Sequence, residues 1–264
     1  MIRLERIRVT FHPGSAVETR ALCDLQLNIS AGEFVTVIGS NGAGKSTLLN
    51  VIAGETHADS GRILIDERDV TGWSTARRSA LVARVFQDPL AGSCENLTLQ
   101  ENLALASCRG HRRSLRPAVN HDRHNDFRHR IAQLGLGLDH RLNDRMGLLS
   151  GGQRQAVSLV MATLNPTKIL LLDEHTAALD PKTAAFVMAL TDRIVRGLGL
   201  TTMMVTHSMR QALAHGDRTL MLHEGRIVLD VAGAARSRMQ VADLLQLFEQ
   251  VRGQALDDDK LLLE

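Results

Sequence analysis

At 264 residues, with 44% apolar content, the chain is long enough to bury a substantial core and has the composition of an ordinary globular protein. A net charge of +2 is too small to imply a nucleic-acid partner. No uninterrupted apolar run approaches the roughly 20 residues a membrane-spanning helix needs. Arg3, Glu5, Arg6 and Arg8 interrupt the N-terminal segment, so no signal peptide is expected there. If the protein acts at a membrane, another chain has to supply the pore. Cys23, Cys94 and Cys108, odd in number and without metal-like spacing, point to a reducing compartment rather than a disulfide framework.

Taken in order, the chain opens with alternating segments, Ile2 to Leu4, Ile7 to Val9 and Leu25 to Ile29, that predict antiparallel strands. Residues 34–38 are rich in β-branched side chains and predict a buried strand. A glycine-rich loop follows, then a helix over 46–53 stopped at Gly54. Further strands are expected at 63–65 and 82–86. Residues 89–162 are mostly helical in pattern, which marks an inserted subdomain. Strand character resumes at 168–172 and 201–205, separated by a helix from Pro181 to about Arg196. A hairpin turning at Glu224-Gly225 and a final amphipathic helix over 241–251 complete the pattern. Strand, loop and helix followed by further alternation indicate a parallel sheet covered on both faces.

The positive charge gathers in one segment, where Arg109, Arg112, Arg113, Arg116, Arg123, Arg128 and Arg130 stand among His111, His121, His124 and His129. Only Phe127 could stack on a base there, so a solvated helical face is expected, with an anionic membrane surface as a variant. His121, His124 and His129 lack the cysteine or carboxylate partners that a metal site would need.

Three segments carry chemistry. Gly39-Ser40-Asn41-Gly42-Ala43-Gly44-Lys45-Ser46 fits G-x-x-x-x-G-K-[ST] between a strand and a helix, with Thr47 next in line. In such a loop, backbone N–H groups and a helix N-terminus cradle phosphates. Lys45 is expected to reach the β- and γ-phosphates, and the Ser46 hydroxyl to ligate Mg²⁺. The strand at 169–172 delivers Asp173 and Glu174 to its C-terminal end, with Asp173 placed to hold Mg²⁺ and Glu174 to polarise an attacking water. Third, Leu149-Ser150-Gly151-Gly152-Gln153 opens a helix running to about Ala162, which makes a second anion-binding N-terminus.

In this combination and order the segments resemble the ATPase of ATP-binding-cassette (ABC) transport systems over nearly the whole chain. The resemblance implies an α/β fold with a P-loop NTPase core, a mostly parallel sheet, an N-terminal antiparallel β-subdomain and an inserted α-helical subdomain. One cassette over 1–264 is expected, its core at 1–88 and 163–264 and its helical subdomain at 89–162. ATP and Mg²⁺ are the implied substrate and cofactor. His207 occupies the place of the switch histidine on the γ-phosphate. Gln87 stands where the family's hinge glutamine touches Mg²⁺ or the water. Asp180 lies in the loop that crosses between subunits, and Phe11 stands where an aromatic stacks on adenine. The family's head-to-tail dimer puts Ser150, Gly151, Gly152 and Gln153 of one copy over the γ-phosphate held by Lys45 of the other.

The resemblance further implies an integral membrane permease as partner, a solute-binding protein acting through it, and a place on the cytoplasmic face of the inner membrane, with no nucleic acid. Residues 173–184 are similar to a subgroup of stand-alone bacterial importer ATPases predicted to serve aromatic amino acids or similar small solutes. Two departures stand out. His175 replaces a common proline, with a possible bearing on pH response, and Ala156 replaces a common arginine. The alternative is a soluble cassette ATPase of the iron-sulfur cluster assembly type.

Overall fold

The structure, a computed structural model, describes residues 1–111 and 117–252, so Arg112, Arg113 and Arg116 of the basic segment lie outside the described residues. Contacts divide the chain into two compact units, one formed by 1–78 together with the chain from 200 onward, the other by 79–199. The division places the strand before Gln87 and the strand before Glu174 in the same unit as the helical segment.

The first unit begins with an antiparallel sheet. Strand β1 (Ile2–Phe11) lies between β2 (Thr19–Ile29) and β4 (Ser60–Ile65), with the two-residue β5 (Arg68–Asp69) at the edge. The two predicted segments of the N-terminus are one strand interrupted by a bulge, where the register shifts between Leu4 and Ile7 and Arg6 takes φ +50°. Between β2 and β4 runs β3 (Phe34–Gly39), buried at every position, followed by helix α1 (Lys45–Ala53). Gly54 closes α1 in the left-handed conformation, as its sequence position predicts. A short helix, α2 (Thr75–Arg78), ends this part.

Arg78 of α2 is fully buried. Its guanidinium donates to the carbonyls of Val51 and Ile52 in the last turn of α1, and to those of Val70 and Thr71. A cation there satisfies carbonyls that a helix C-terminus otherwise leaves without partners. Burial lowers its pKa from the ordinary arginine value.

The second unit contains β6 (Val82–Val85), α3 (Leu99–Ser107), α4 (His121–Ala132), α5 (Gly151–Thr163), β7 (Ile169–Asp173) and α6 (Pro181–Leu198). Strands β6 and β7 pair in parallel. Local signals set the helix ends: Thr98 and Glu101 form a capping box on α3, and Asp180 caps α6 with Pro181 at its first position. Helix α6 buries Val187, Met188, Leu190, Thr191 and Val195, a stripe at helical spacing.

The basic segment divides in two. On α4, Arg123 and Arg128 are exposed while Phe127 and Ile131 are buried, so the solvated face is as expected and Phe127 is unavailable for stacking. The imidazoles of α4 are engaged separately, His124 with Gln100 and His121 with Asn125. Arg109 departs from the expectation of solvation. Its guanidinium donates to the carbonyls of Ala162 and Asn165, while the Asn165 amide donates to those of Ala106, Ser107 and Arg109. This exchange ties the end of α3 to the end of α5, and burial lowers the Arg109 pKa.

The chain returns to the first unit through β8 (Thr202–Val205), α7 (Met209–Ala214), β9 (Arg218–His223), β10 (Arg226–Ala232), α8 (Gly233–Arg238) and α9 (Val241–Arg252). Strand β3 lies between β8 and β9 and is parallel to both, while β10 pairs with β9 through the predicted hairpin. Ile38, Met209, Ala212, Met221, Leu244 and Phe248 form a core in which α7 and α9 cover β3 and β9. Covering of this kind is why β3 reads as a continuous apolar run rather than an alternating one. Neither α7 nor α8 is legible from sequence, each being only six residues long.

Candidate active site

In the first unit the phosphate loop follows the strand flanked by parallel neighbours. Its glycines are required by the backbone. Gly39 and Gly44 adopt φ +151° and +101°, and a Cβ on either would overlap a backbone oxygen, that of Leu222 or of Ala21. The loop is pinned from outside as well: the Gly225 amide donates to Ala43 O at 3.0 Å, and the Cys23 amide to Gly225 O at 2.9 Å. Helix α1 therefore starts at a fixed place, with the N–H groups of its first turn available to an anion.

Lys45 is buried, and its ammonium donates to Gly39 O at 2.7 Å and to Ser40 O at 3.0 Å, which folds the cation back across the loop. Asn41, Gly42 and Ser46 are exposed, Ser40 and Thr47 are half-buried and Ala43 is buried. A buried cation, a helix N-terminus and a glycine-shaped loop form a donor set suited to a polyphosphate.

His207 belongs to the same edge. Val37 and Val205 are register partners, so the loop after Gly39 and the turn after β8 leave the sheet from its C-terminal side, where ligands gather in open α/β sheets. The turn is held on both sides of the histidine. The Thr206 amide donates to Val37 O and the Ser208 amide to Thr206 Oγ1, while Ser208 caps α7. Phe11, at the end of β1, is 39% exposed, an open ring suited to stacking.

The second unit repeats the geometry. Val85 pairs with Leu172, so Gln87 and Glu174 each stand two residues beyond a register pair, at the C-terminal ends of neighbouring parallel strands. Gln87 is exposed and Glu174 half-buried. Glu174 has φ +45°, a left-handed conformation that costs a non-glycine residue about 1–2 kcal/mol. Its carbonyl accepts from the Ala177 amide at 2.9 Å. Strain of this sort at the end of a strand is characteristic of functional positions.

Asp173 is ion-paired: Arg84 Nη2 donates to its Oδ2 at 2.6 Å. Sequence reasoning did not single out Arg84, although a charged residue inside the apolar strand β6 was the available signal. The adjacent His175 lies apart from this chemistry. It is buried, and its Nε2 is 3.0 Å from Thr191 Oγ1. That hydroxyl donates to Val187 O, so it accepts from histidine, which assigns the Nε2–H tautomer. His175 therefore has a packing role on α6.

Ser150, at the N-cap of α5, accepts from the Gln153 amide at 3.3 Å, and the Gln153 side chain accepts from the Ser150 amide at 3.1 Å. The Gln153 side chain thus serves this capping box, while Gly151 and Gly152 hold the first two helical positions, whose amides lack intrahelical acceptors. Gly152 has a second constraint. A Cβ there would overlap the Thr183 methyl on α6. Asp180, exposed at the cap of α6, accepts from the Thr183 amide at 3.1 Å, and hydrogen bonding from the Thr183 side chain, then from that amide, holds its carboxyl below the usual value. Ala156, where arginine is common in the resembled family, is fully buried.

The profile of the ABC transporter family matches residues 22–177, which include the phosphate loop, the signature helix and the Asp173-Glu174 strand end. The chain belongs to the ABC transporter family. It is 46% identical over 226 residues to a tyrosine transport ATP-binding protein of Clostridioides difficile, covering 86% of this chain and 90% of that one. To an aliphatic sulfonates import ATP-binding protein of Albidiferax ferrireducens it is 34% identical, covering 83% and 72%.

Among solved structures it is similar to a dimeric ATP-binding cassette in a post-hydrolysis state bound to ADP and phosphate. The TM-score is 0.75 with 29% identity, covering 88% of this chain and 98% of the other. The protein is accordingly a nucleotide-binding ABC ATPase, with the α/β fold expected of it. The cluster-assembly alternative finds no support, since these relatives are transport ATPases. No helix among the described residues is long and apolar enough to cross a membrane.

Proposed function

We propose that the chain is the ATPase subunit of an importer for an aromatic amino acid or a similar small solute, working as a head-to-tail pair beneath a separate membrane permease. The 46% identity to a tyrosine transport ATP-binding protein over nearly all of both chains is the observation that carries the solute class. Permease and solute-binding protein would set selectivity within it. Attachment to the permease would hold the chain at the cytoplasmic face of the membrane.

In this reading the loop amides and Lys45 bind the phosphates, and Phe11 stacks on adenine. Glu174 accepts the proton of the attacking water, whose position His207 and Gln87 maintain. Ser46, Asp173 and Gln87 are the residues that would hold Mg²⁺. Their hard oxygen donors suit it, and the Asp173 carboxyl is already held in place by its contact with Arg84. Bound there, Mg²⁺ supplies charge neutralisation on the β- and γ-phosphates.

Ser150, Gly151 and Gly152, with Asp180 nearby in sequence, are the groups one copy offers to the nucleotide of the other. Two-fold symmetry then yields two equivalent sites. A groove of about 400 Å³ within the second unit, lined by Phe86, Pro89, Leu105, Met161 and Ala162, is the surface we assign to the permease.

The deciding experiment is Glu174→Gln. Steady ATP turnover should disappear while ATP drives dimers detectable by size-exclusion chromatography. Turnover at the wild-type rate would reject the general-base role. For the solute, reconstitution with the partner permease should give ATPase activity stimulated by a tyrosine-loaded binding protein. Stimulation by a sulfonate-loaded one instead would reject the aromatic class.

A further inference from the structure

Arg84 and Asp173 face each other across neighbouring parallel strands. Arg84 is the register partner of Leu171, two residues short of the aspartate, and its guanidinium reaches along the strand to Asp173 Oδ2 at 2.6 Å. The two side chains are only 11% and 14% exposed. The same guanidinium lies 4.8 Å from the centre of the Phe86 ring, so one face rests on an aromatic while an edge meets the carboxylate. Arg84 is the single charged residue in β6, among Val82, Ala83 and Val85. Placing a cation in such surroundings is costly unless a partner is fixed opposite it, and Asp173, the proposed metal ligand, is such a partner.

We propose that Arg84 is a positioning residue for Asp173, holding the carboxylate oriented in the metal-free protein and competing with the divalent cation for it. The inference rests on the assignment of Asp173 to the metal. A carboxylate carries one negative charge. Shared between a guanidinium and a divalent ion, it leaves two cationic centres close together in a poorly solvated place, and each weakens the hold of the other. Without Arg84, the metal-free protein keeps a poorly solvated carboxylate that has lost its guanidinium, and a divalent ion becomes the main charge available to neutralise it. Loss of Arg84 should thus lower stability in the absence of metal and raise affinity for metal. A purely structural arginine would produce only the first effect.

The test uses Mn²⁺ as probe, with free Mn²⁺ read by electron paramagnetic resonance in the presence of saturating ADP. Wild type, Arg84→Met, Arg84→Lys, Asp173→Asn and the Arg84→Met/Asp173→Asn double variant are compared, with thermal unfolding in EDTA alongside. Arg84→Met should bind Mn²⁺ about five- to tenfold more tightly, within the coupling expected of residues in one network. It should also unfold at a lower temperature in EDTA. Arg84→Lys, which retains the charge, should return both quantities toward wild type. In the Asp173→Asn background, Arg84→Met should leave Mn²⁺ affinity unchanged.

If Arg84→Met does not fold, Arg84→Gln provides the same neutralisation with a hydrogen-bonding side chain. Mn²⁺ affinity unchanged or weakened on neutralising Arg84, while Asp173→Asn weakens it, would overturn the role of Arg84 alone. Wild-type affinity in Asp173→Asn would overturn the metal assignment and the inference with it.

Discussion

Gly152 offers a prediction in which structure and signature chemistry make different demands. In the family, the residue serves the phosphate of a second copy; within this chain, it also lets α5 pack against α6. A Cβ at Gly152 would stand 3.5 Å from Thr183 Cβ and 3.9 Å from its Oγ1, which is ordinary contact, but would overlap the Thr183 methyl. Relief requires that methyl to leave, and Thr183 sits in the first turn of α6, where its amide donates to the Asp180 cap.

Overpacking of this kind costs about 1–3 kcal/mol. The better helix propensity of alanine offsets at most about 0.5–1 kcal/mol. Gly152→Ala should therefore lose about 0.5–2 kcal/mol, or about 1–4 °C in Tm for a chain of this size. Thr183→Ser deletes the obstructing methyl at a cost of about 0.8 kcal/mol. The Gly152→Ala/Thr183→Ser double variant should then be more stable than the sum of the single changes by at least about 0.5 kcal/mol. Urea unfolding of the four proteins in EDTA measures all the terms. A Gly152→Ala protein as stable as wild type, or strictly additive effects, would refute the packing argument and leave phosphate contact as the sole reason for the glycine.

Lys45→Ala should weaken ATP and ADP binding by at least about tenfold, measured with a fluorescent nucleotide, since it removes a charge-assisted donor from the loop. Unchanged affinity would count against that role. Ser150→Arg should abolish turnover while nucleotide binding to the monomer stays within about twofold, because Ser150 is assigned to the nucleotide of the opposite copy. Arg78→Met should destabilise by about 3 kcal/mol or more, since it strands buried carbonyls of Val51, Ile52, Val70 and Thr71. A small change in urea midpoint would show that these carbonyls find water instead.

Sequence alone was sufficient for the features that local spacing encodes. The phosphate loop needs glycines at backbone positions that other residues cannot adopt, and so it is visible as G-x-x-x-x-G-K-S. The residues Ser150 and Asp180 stand at helix starts because each meets an amide three residues away. Strand ends carrying Gln87, Asp173-Glu174 and His207 were legible because a buried parallel strand is a continuous apolar run that stops where the polar residue begins.

Tertiary structure decided what depends on residues far apart in the chain. Arg109 reads as one more cation in a basic run, yet it ties α3 to α5 across more than fifty positions. His175 reads as a neighbour of Glu174, the proposed general base, yet it turns to Thr191 sixteen residues on. Gly152 has an obstacle at Thr183, and Asp173 has a guanidinium supplied eighty-nine positions earlier in the chain by Arg84. None of these partners can be read from spacing, because side-chain direction and strand register, not distance along the chain, determine which groups meet.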